Sequence, residues 1–290
     1  MRCIVHCATL IEDYHLSLAD AASLLHALGV YFYYRGRYTE VEPFYQRALK
    51  IQEQALGGEH PDTAVTLHNL ASLYQEQGQY EAAEGLYQRA LKIDEQALGP
   101  EHPETATTMH ELARLYQNQG QYEPARELYQ RVLKIQEQAL GGEHPETATT
   151  LHNLASLYKN QGQYEAAQEL YQRVLKIREQ ALGGEHPSTA VTLHNLASLY
   201  GEQGQYEAAE GLYQRALKID EQALGAEHPE TALTLWGLAA LYERQGQYTR
   251  AEPLYRQALA IMEKVKPHHP DTRRLREGYH DLLRKMERKG

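Results

Sequence analysis

Residues 62–99 read DTAVTLHNLASLYQEQGQYEAAEGLYQRALKIDEQALG, and this stretch recurs almost unchanged along the 290-residue chain. The dipeptide His-Pro returns every 42 residues at five places, and a sixth pair comes one residue early: His60-Pro61, His102-Pro103, His144-Pro145, His186-Pro187, His228-Pro229 and His269-Pro270. A fixed period of this length is typical of a repeat array, in which each unit buries its apolar side against its neighbours. The period therefore predicts one array rather than the two globular domains that the length alone suggests.

The first half of each unit predicts a helix. Apolar residues recur at intervals of three and four, which places them on one face: Ala64, Leu67, Leu70, Ala71 and Tyr74. Pro61 suits the first helical position because its missing N–H would have no partner there. Gly78 is expected to end the helix, since glycine adopts the left-handed backbone of a helix C-terminus without strain.

The second half predicts another helix, from about Glu81 to Leu98, that ends at Gly99. Its expected inner residues are Ala83, Leu86, Tyr87, Ala90, Leu91 and Leu98. Two antiparallel helices cannot bury these faces alone, so stacked hairpins must complete the core.

These positions resemble the tetratricopeptide repeat, whose pattern is W-x2-L-G-x2-Y, then A-x3-F, then P. Here the pattern appears as Leu67-x2-Leu70-Ala71-x2-Tyr74 and as Ala83-x3-Tyr87. Glu95 replaces the closing proline, which lets the second helix continue and accounts for 42 residues instead of 34. The stretches LHNLA, QGQYEAAE, YQRALKI and LGxEHP are similar to the kinesin-light-chain branch. The resemblance implies an all-α, right-handed superhelical solenoid of six hairpins with capping helices.

The register divides the chain into one continuous solenoid. We predict a helical cap at 1–17, a degenerate repeat at 18–61, four near-identical repeats at 62–103, 104–145, 146–187 and 188–229, a sixth repeat at 230–270 and a capping helix at 271–290. From Lys264 to Gly290 there are nine Lys and Arg against four Asp and Glu, a net charge of +5. We interpret this tail as a solubilising cap, with a charged docking patch as the alternative.

The start of the chain carries a second resemblance. The stretches CIVHCATLIEDYHLSLADAASLLHALGVYFYYRGRY and EVEPFYQRALKIQEQALG resemble the junction that leads into the repeats of bacterial STAND-type (NB-ARC-type) signalling ATPases. This resemblance implies the C-terminal repeat region of such a protein, acting as its sensor. The chain contains no G-x-x-x-x-G-K-[ST] loop, so it is not expected to bind ATP through one.

Composition restricts the partners. The net charge is −10 and basic residues do not cluster as nucleic-acid binding requires, so we expect no nucleic-acid partner. No apolar run reaches the length of a membrane span, and MRCIVHCATL is a poor signal peptide. Cys3 and Cys7 give no disulfide framework. We expect a cytoplasmic protein with no membrane partner.

In tetratricopeptide arrays the first helix of each unit lines the concave face, and the resemblance places the ligand groove there. The candidate residues on that side are His68, Asn69, Ser72 and Gln75; His110, Glu111 and Arg114; His152, Asn153, Ser156 and Lys159; His194, Asn195 and Ser198; Trp236 and Arg244. In kinesin light chains the Asn of N-L-A contacts extended cargo peptides, and Asn69, Asn153 and Asn195 match it. These amides equally suit a second interpretation, in which they bond the neighbouring helix and hold the repeat register.

Specificity should come from positions that differ between the copied units. Arg114, Lys159 and Arg244 could together meet an acidic peptide, and Trp236 could anchor an apolar side chain. The alternative is neutral drift at tolerant surface positions. We therefore predict a non-catalytic scaffold for a peptide or protein partner.

Two other functions are compatible with a repeat array. The first is a structural array that self-associates weakly, end to end. The second is a metal-dependent enzyme built on a histidine ladder: His26, His68, His110, His152 and His194. Stacked helices lie roughly 8–10 Å apart, whereas zinc needs nitrogens at about 2 Å, and no carboxylate or thiol recurs at a ligand spacing. We predict no enzyme activity, no metal and no cofactor.

Overall fold

The computed structural model describes residues 17–35 and 37–288, and this part of the chain holds thirteen α-helices and no strand. The helices are α1 (Leu18–Tyr34), α2 (Tyr38–Ala55), α3 (Pro61–Glu76), α4 (Tyr80–Ala97), α5 (Pro103–Asn118), α6 (Tyr122–Ala139), α7 (Pro145–Asn160), α8 (Tyr164–Leu182), α9 (Pro187–Glu202), α10 (Tyr206–Ala223), α11 (Pro229–Arg244), α12 (Tyr248–Val265) and α13 (Pro270–Glu287). The cap predicted at 1–17 lies outside the described residues, except for Ser17, whose hydroxyl caps α1.

The described residues fall into two compact units that divide between Gly141 and Gly142. Unit 1 contains the hairpins α1–α2, α3–α4 and α5–α6, and unit 2 contains α7–α8, α9–α10 and α11–α12, followed by α13. Within each unit consecutive helices pack together, and the first helices of adjacent hairpins also touch. The predicted all-α array of hairpins is confirmed, while the bounds assigned to individual repeats stay predictions.

Each recurring His-Pro pair begins a helix. The proline occupies the first turn, and the histidine before it is the N-cap: the backbone N–H of Asp62 donates to His60 Nδ1 at 3.2 Å. The same bond recurs at His102, His144, His186, His228 and His269. Histidine thus satisfies a backbone donor that otherwise lacks a partner at a helix start. The sequence pattern identified the proline but not this role of the histidine.

A single apolar stripe underestimates how much of the first helix is buried. Leu67, Leu70 and Ala71 are buried as predicted, but Thr66 and Leu73 are buried as well. Tyr74, assigned to the core, is only half-buried, and so are three residues of the second helix: Leu86, Leu91 and Leu98. The additional buried residues are explained by packing, because a first helix contacts its own partner helix and the hairpins on both sides. More than one face of a first helix is therefore buried.

Candidate functional site

All sixteen predicted groove residues lie on first helices, from α3 to α11. Gln75 is more buried than predicted, with 6% of its surface exposed. Serines at one register position bond the buried tyrosine of the second helix: Ser72 Oγ lies 2.8 Å from the hydroxyl of Tyr87, and Ser156 and Ser198 bond Tyr171 and Tyr213. These serines therefore hold each hairpin together from its groove side.

The histidine ladder is packed and neutral. His68 meets the ring of Tyr87 edge-on at 5.4 Å, and the ladder histidines of α5, α7 and α9 repeat this contact. Burial lowers the pKa of His68, His110 and His194 to about 4, and that of His152 to about 3. Because a buried imidazole loses hydration when charged, these rings are neutral at pH 7.

Asparagines of the N-L-A motif bond the preceding rung of the ladder. Asn69 Nδ2 donates to His26 Nε2 at 3.1 Å, and Asn195 Nδ2 donates to His152 Nε2 at 3.0 Å. His26 Nδ1 lies 3.0 Å from the hydroxyl of Thr66 on the same following hairpin. These bonds join adjacent hairpins, as the register interpretation requires. Contact of the same asparagines with a peptide stays a prediction.

The histidine ladder forms no recognisable metal site in the described residues. Among residues 17–35 and 37–288, no group of three His, Cys, Asp or Glu side chains could hold a metal ion. Two of the ladder Nε2 atoms already accept hydrogen bonds from asparagine.

Two of the three groove cations have internal partners. Arg114 forms an ion pair with Glu111 at 2.7 Å. With the Gln75 amide turned so that its oxygen faces the guanidinium, Arg114 also donates to that oxygen at 3.1 Å. Lys159 Nζ lies 3.1 Å from Glu202 and 2.7 Å from the hydroxyl of Ser198. Arg244 makes no hydrogen bond or ion pair within the described ranges, although it lies close enough to Tyr213 and Tyr255 to lower the pKa of both phenols. The groove therefore presents one open cation where the sequence suggested three.

Arg244 borders a cleft of about 410 Å³ in unit 2, formed by α9, α10, α11 and α13, which we call the Trp236 cleft. Trp236, Gly237, Ala240, Arg244 and Arg274 define it. Two of these lining residues, Gly237 and Ala240, stand where the preceding repeat has Asn195 and Ser198. A Cβ atom at Gly237 would come within 2.6 Å of the Tyr213 ring, so a larger residue there would displace that ring.

The capping helix α13 contributes one wall of the Trp236 cleft. The guanidinium of Arg274 lies 5.8 Å from the centre of the Trp236 ring and 3.4 Å from the carboxylate of Asp271. The tail therefore lines a candidate site, and its role as a solubilising cap stays a prediction. Sequence comparison of the repeats identified the change at Trp236 and Gly237 but not the space that it leaves.

A second cleft of about 340 Å³ lies in unit 1, which we call the tyrosine cleft. Val30, Tyr33, Tyr34, Tyr45 and Arg114 define it. Five predicted groove residues line it, namely Arg114 together with His68, Asn69, Ser72 and Glu111. The sequence analysis did not identify these tyrosines. The available signal was that Val30 and Tyr33 stand at the register positions of Ser72 and Gln75, so the first repeat differs from the copied repeats there.

Comparison with known proteins agrees with this architecture. A family model described as the tetratricopeptide repeat matches residues 20–96, 68–138, 104–180, 146–222 and 189–264. The chain belongs to the tetratricopeptide repeat family. This family is in general a non-catalytic interaction scaffold. In the described part of the chain, no tetratricopeptide helix is long and apolar enough to cross a bilayer.

Solved structures show the same repeat. Kinesin light chain nearly identical TPR-like repeats from Podosopora anserina are 36% identical, cover 72% of this chain and 99% of their own, and superpose with a TM-score of 0.59. BtubC (BKLC) from P. vanneervenii is 26% identical over 78% of this chain and 89% of its own, with a TM-score of 0.62. The apo quorum sensor NprR from B. thuringiensis, 14% identical, shows the fold alone, with a TM-score of 0.70 over 95% of this chain and 73% of its own. The kinesin-light-chain-like character of the repeats is confirmed.

One curated relative matches a short part of the chain. A nucleotide-binding leucine-rich repeat (NLR)-like protein from Hyaloscypha variabilis is 52% identical over 52 residues, which is 18% of this chain and 5% of that relative. The chain therefore spans a small fraction of that protein's length. The match fits the link to NB-ARC-type proteins that the start of the chain predicts.

Proposed function

We propose that this tetratricopeptide array binds an extended segment of a partner protein on the first helices of unit 2, where the Trp236 cleft selects the segment. The observation that carries the proposal is the cleft itself, which opens where the sixth repeat departs from the copied units. A cleft made by smaller residues beside a half-buried tryptophan suits insertion of an apolar side chain.

The charge of the cleft suggests the second element of the ligand. Arg244 has no internal partner in the described chain, whereas Arg274 is partly neutralised by Asp271. His194, which also lines the cleft, is neutral. A carboxylate on the bound segment would form a charge-assisted hydrogen bond with Arg244. The proposed ligand is therefore a peptide with an apolar residue on Trp236 and an acidic residue beside Arg244.

The chain carries its own reporter for this proposal, because Trp236 is the one tryptophan in the sequence. Peptides selected by display against the whole chain should change the fluorescence of Trp236 on binding. Arg244→Gln should weaken them roughly 10- to 100-fold, the value of one hydrogen bond to a charged group. Gly237→Asn, which restores the residue of the copied repeats, should weaken them by displacing the Tyr213 ring that lines the cleft. Arg273→Gln is the matched control. It also removes one positive charge, but Arg273 is on α13 and does not line the cleft.

Two results would count against the proposal. One is a folded chain that enriches no peptide. The other is a set of enriched peptides that leave Trp236 fluorescence unchanged and bind Arg244→Gln as tightly as the original chain.

The signalling role is part of the same proposal. The partial match to an NLR-like protein and the resemblance at the start of the chain support a recognition module in an NB-ARC-type signalling protein. In a protein that carries both modules, a peptide of the Trp236 cleft should change the rate of ATP hydrolysis, and Trp236→Ala should abolish that response. A rate indifferent to both would refute the signalling role and leave the binding role standing.

Self-association is the alternative, favoured by one observation. Tyr31 stands at the register position of the fully buried Leu73, yet 52% of its surface is exposed. Within the described part of the chain, α1 therefore presents a partly exposed face of the kind that stacks in the interior of an array. Light scattering over a range of concentrations distinguishes the two functions, since a monomer at all concentrations excludes assembly as the primary function.

A further inference from the structure

The last rung of the histidine ladder lacks the asparagine that other rungs have. In unit 2, Asn195 Nδ2 on α9 donates to His152 Nε2 on α7 at 3.0 Å, and the same bond joins α3 to α1 at 3.1 Å. The next rung is His194 on α9, and α11 carries Gly237 at the register position of these asparagines. Because glycine has no side chain, α11 supplies no amide donor to His194.

The place of the missing asparagine lies in the Trp236 cleft, which both His194 and Gly237 line. The Cε1 atom of His194, which is bonded to Nε2, would lie 3.0 Å from a Cβ atom at residue 237. The ring is placed like those of the other ladder histidines, edge-on to Tyr213 at 5.3 Å. His194 therefore presents to the cleft the part of its ring that asparagine bonds in the copied repeats.

The other side of the His194 ring indicates which nitrogen carries the proton. Thr234 Oγ1 donates to the carboxylate of Asp220 at 2.8 Å, and only 3% of the Asp220 surface is exposed. Since its proton is directed to Asp220, Thr234 Oγ1 accepts from His194 Nδ1, which lies 3.5 Å away. Burial keeps the pKa of His194 at about 4, so the ring is neutral and has a single N–H. With that proton on Nδ1, Nε2 is a hydrogen-bond acceptor.

The charges around the cleft restrict the donor that can reach His194 Nε2. Arg244 and Arg274 both line the cleft, and its acidic residue, Asp271, already forms an ion pair with Arg274 at 3.4 Å. Lys159 also lies close enough to lower the pKa of His194. An ammonium or guanidinium donor would be repelled by these cations, whereas a neutral amide would not. A carboxamide is also the group that bonds the equivalent nitrogen of other rungs.

We propose that the segment bound in the Trp236 cleft presents an asparagine or glutamine side chain, whose amide N–H donates to His194 Nε2. The inference rests on the function proposed for this cleft. It adds a third element to the ligand, beside the apolar residue at Trp236 and the acidic residue at Arg244. Thr234 is a positioning residue in this site, because its hydroxyl holds the His194 ring in the accepting tautomer.

The test uses the whole chain and ten-residue Gly-Ser peptides that carry one leucine, one glutamate and one asparagine in all relative positions. Each peptide is paired with the same peptide in which alanine replaces asparagine, and both affinities are measured from Trp236 fluorescence. In the arrangement that fits, the asparagine peptide should bind about two- to tenfold more tightly, as expected for one neutral hydrogen bond. Arg244→Gln should weaken both members of a pair and leave the ratio of their affinities unchanged.

Thr234→Val tests the positioning role. It removes the hydroxyl that accepts from Nδ1, so the proton is free to move to Nε2 and the preference for asparagine should disappear. Thr108→Val is the matched control, because Thr108 lies between His68 and Asp94 in the same arrangement in unit 1. Both variants lose equivalent hydrogen bonds. A preference that survives in Thr108→Val but not in Thr234→Val therefore reports the tautomer of His194 and not a general loss of stability.

Nitrogen-15 NMR of the histidine side chains measures the same hydrogen bond in the original chain and does not depend on the folding of a variant. The Nε2 signal of His194, assigned through its backbone, should be that of a ring nitrogen without a proton. The asparagine peptide should shift this signal, whereas its alanine partner should not. In Thr234→Val the signal should move towards that of a protonated nitrogen.

Two results would overturn the proposal. The first is that peptides bind but every asparagine peptide has the affinity of its alanine partner, which would leave the function proposed for the Trp236 cleft standing. The second is a proton on Nε2 of His194 in the original chain, since that nitrogen would then be a donor. Failure of all the peptides to bind would refute both this inference and the function on which it rests.

Discussion

Substitution of Asn195 by alanine tests whether the N-L-A asparagines hold adjacent hairpins together. In the structure Asn195 Nδ2 donates to His152 Nε2 at 3.0 Å, which joins α9 to α7. His152 Nδ1 is buried and makes no hydrogen bond within the described residues. Within the described residues, the bond from Asn195 is the one hydrogen bond that the His152 ring makes. Its removal therefore leaves both ring nitrogens of His152 without a partner.

The size of the effect follows from that geometry. A neutral hydrogen bond contributes about 0.5–1.5 kcal/mol net, but a buried acceptor left unsatisfied costs about 1–3 kcal/mol. The larger range applies, because protonation does not relieve the ring: burial keeps the pKa of His152 at about 3. We expect Asn195→Ala to lower the free energy of unfolding by about 1–3 kcal/mol, despite the better helix propensity of alanine.

The assay is urea unfolding at pH 7, followed by circular dichroism, with Asn160→Ala as the control. Asn160 is an exposed first-helix asparagine with no hydrogen bond recorded in the described part of the chain, so its replacement should be neutral or slightly stabilising. Hydrogen exchange should locate the loss in α7 and α9, since coupling in repeat arrays runs between neighbours. Equal unfolding midpoints for the two variants would refute the register function of Asn195.

Three further predictions follow from the fold. Leu70→Ala and Leu154→Ala should each lower the free energy of unfolding by about 2–5 kcal/mol through a core cavity, and a calorimetric midpoint equal to the original would contradict the assigned core. The free energy of unfolding should fall as the pH drops from about 6.5 to about 4 and then level off. In this range the ladder histidines are protonated in the unfolded chain but stay neutral when buried in the folded chain. His68, His110 and His194 each contribute about 3 kcal/mol, and His152, with the lowest pKa, contributes more. Burial raises the pKa of Asp94 and Asp220, and these two carboxyl groups oppose the trend. The measurement therefore compares the pH dependence of the free energy of unfolding in the original chain and in His194→Gln. The dependence should be shallower in His194→Gln. Finally, His144→Ala should cost about 0.5–2 kcal/mol as a lost N-cap while His144→Asp retains most of the stability; identical thermal midpoints for all three proteins would argue that the cap is not used.

The sequence by itself determined the helices, their order and their ends. Proline at the first turn, glycine after the last turn and apolar residues at intervals of three and four act within a few residues of chain, and the 42-residue period repeats them in register. The resemblance to the tetratricopeptide repeat then placed the groove on the first helices. It did not show that the buried face of those helices extends to Thr66 and Leu73, because that depends on neighbouring hairpins.

Only the tertiary structure decided which groove residues are available to a ligand. Arg114, Lys159 and Arg244 carry the same charge, but Lys159 meets an acid 43 residues away whereas Arg244 meets none in the described chain. The Trp236 cleft is lined by residues of four helices, and the Tyr213 ring of another helix packs directly against Gly237. The sequence shows which side chains are present. Whether a charged side chain has a partner, and whether a cleft is left between helices, depends on distances that the packing of the helices determines.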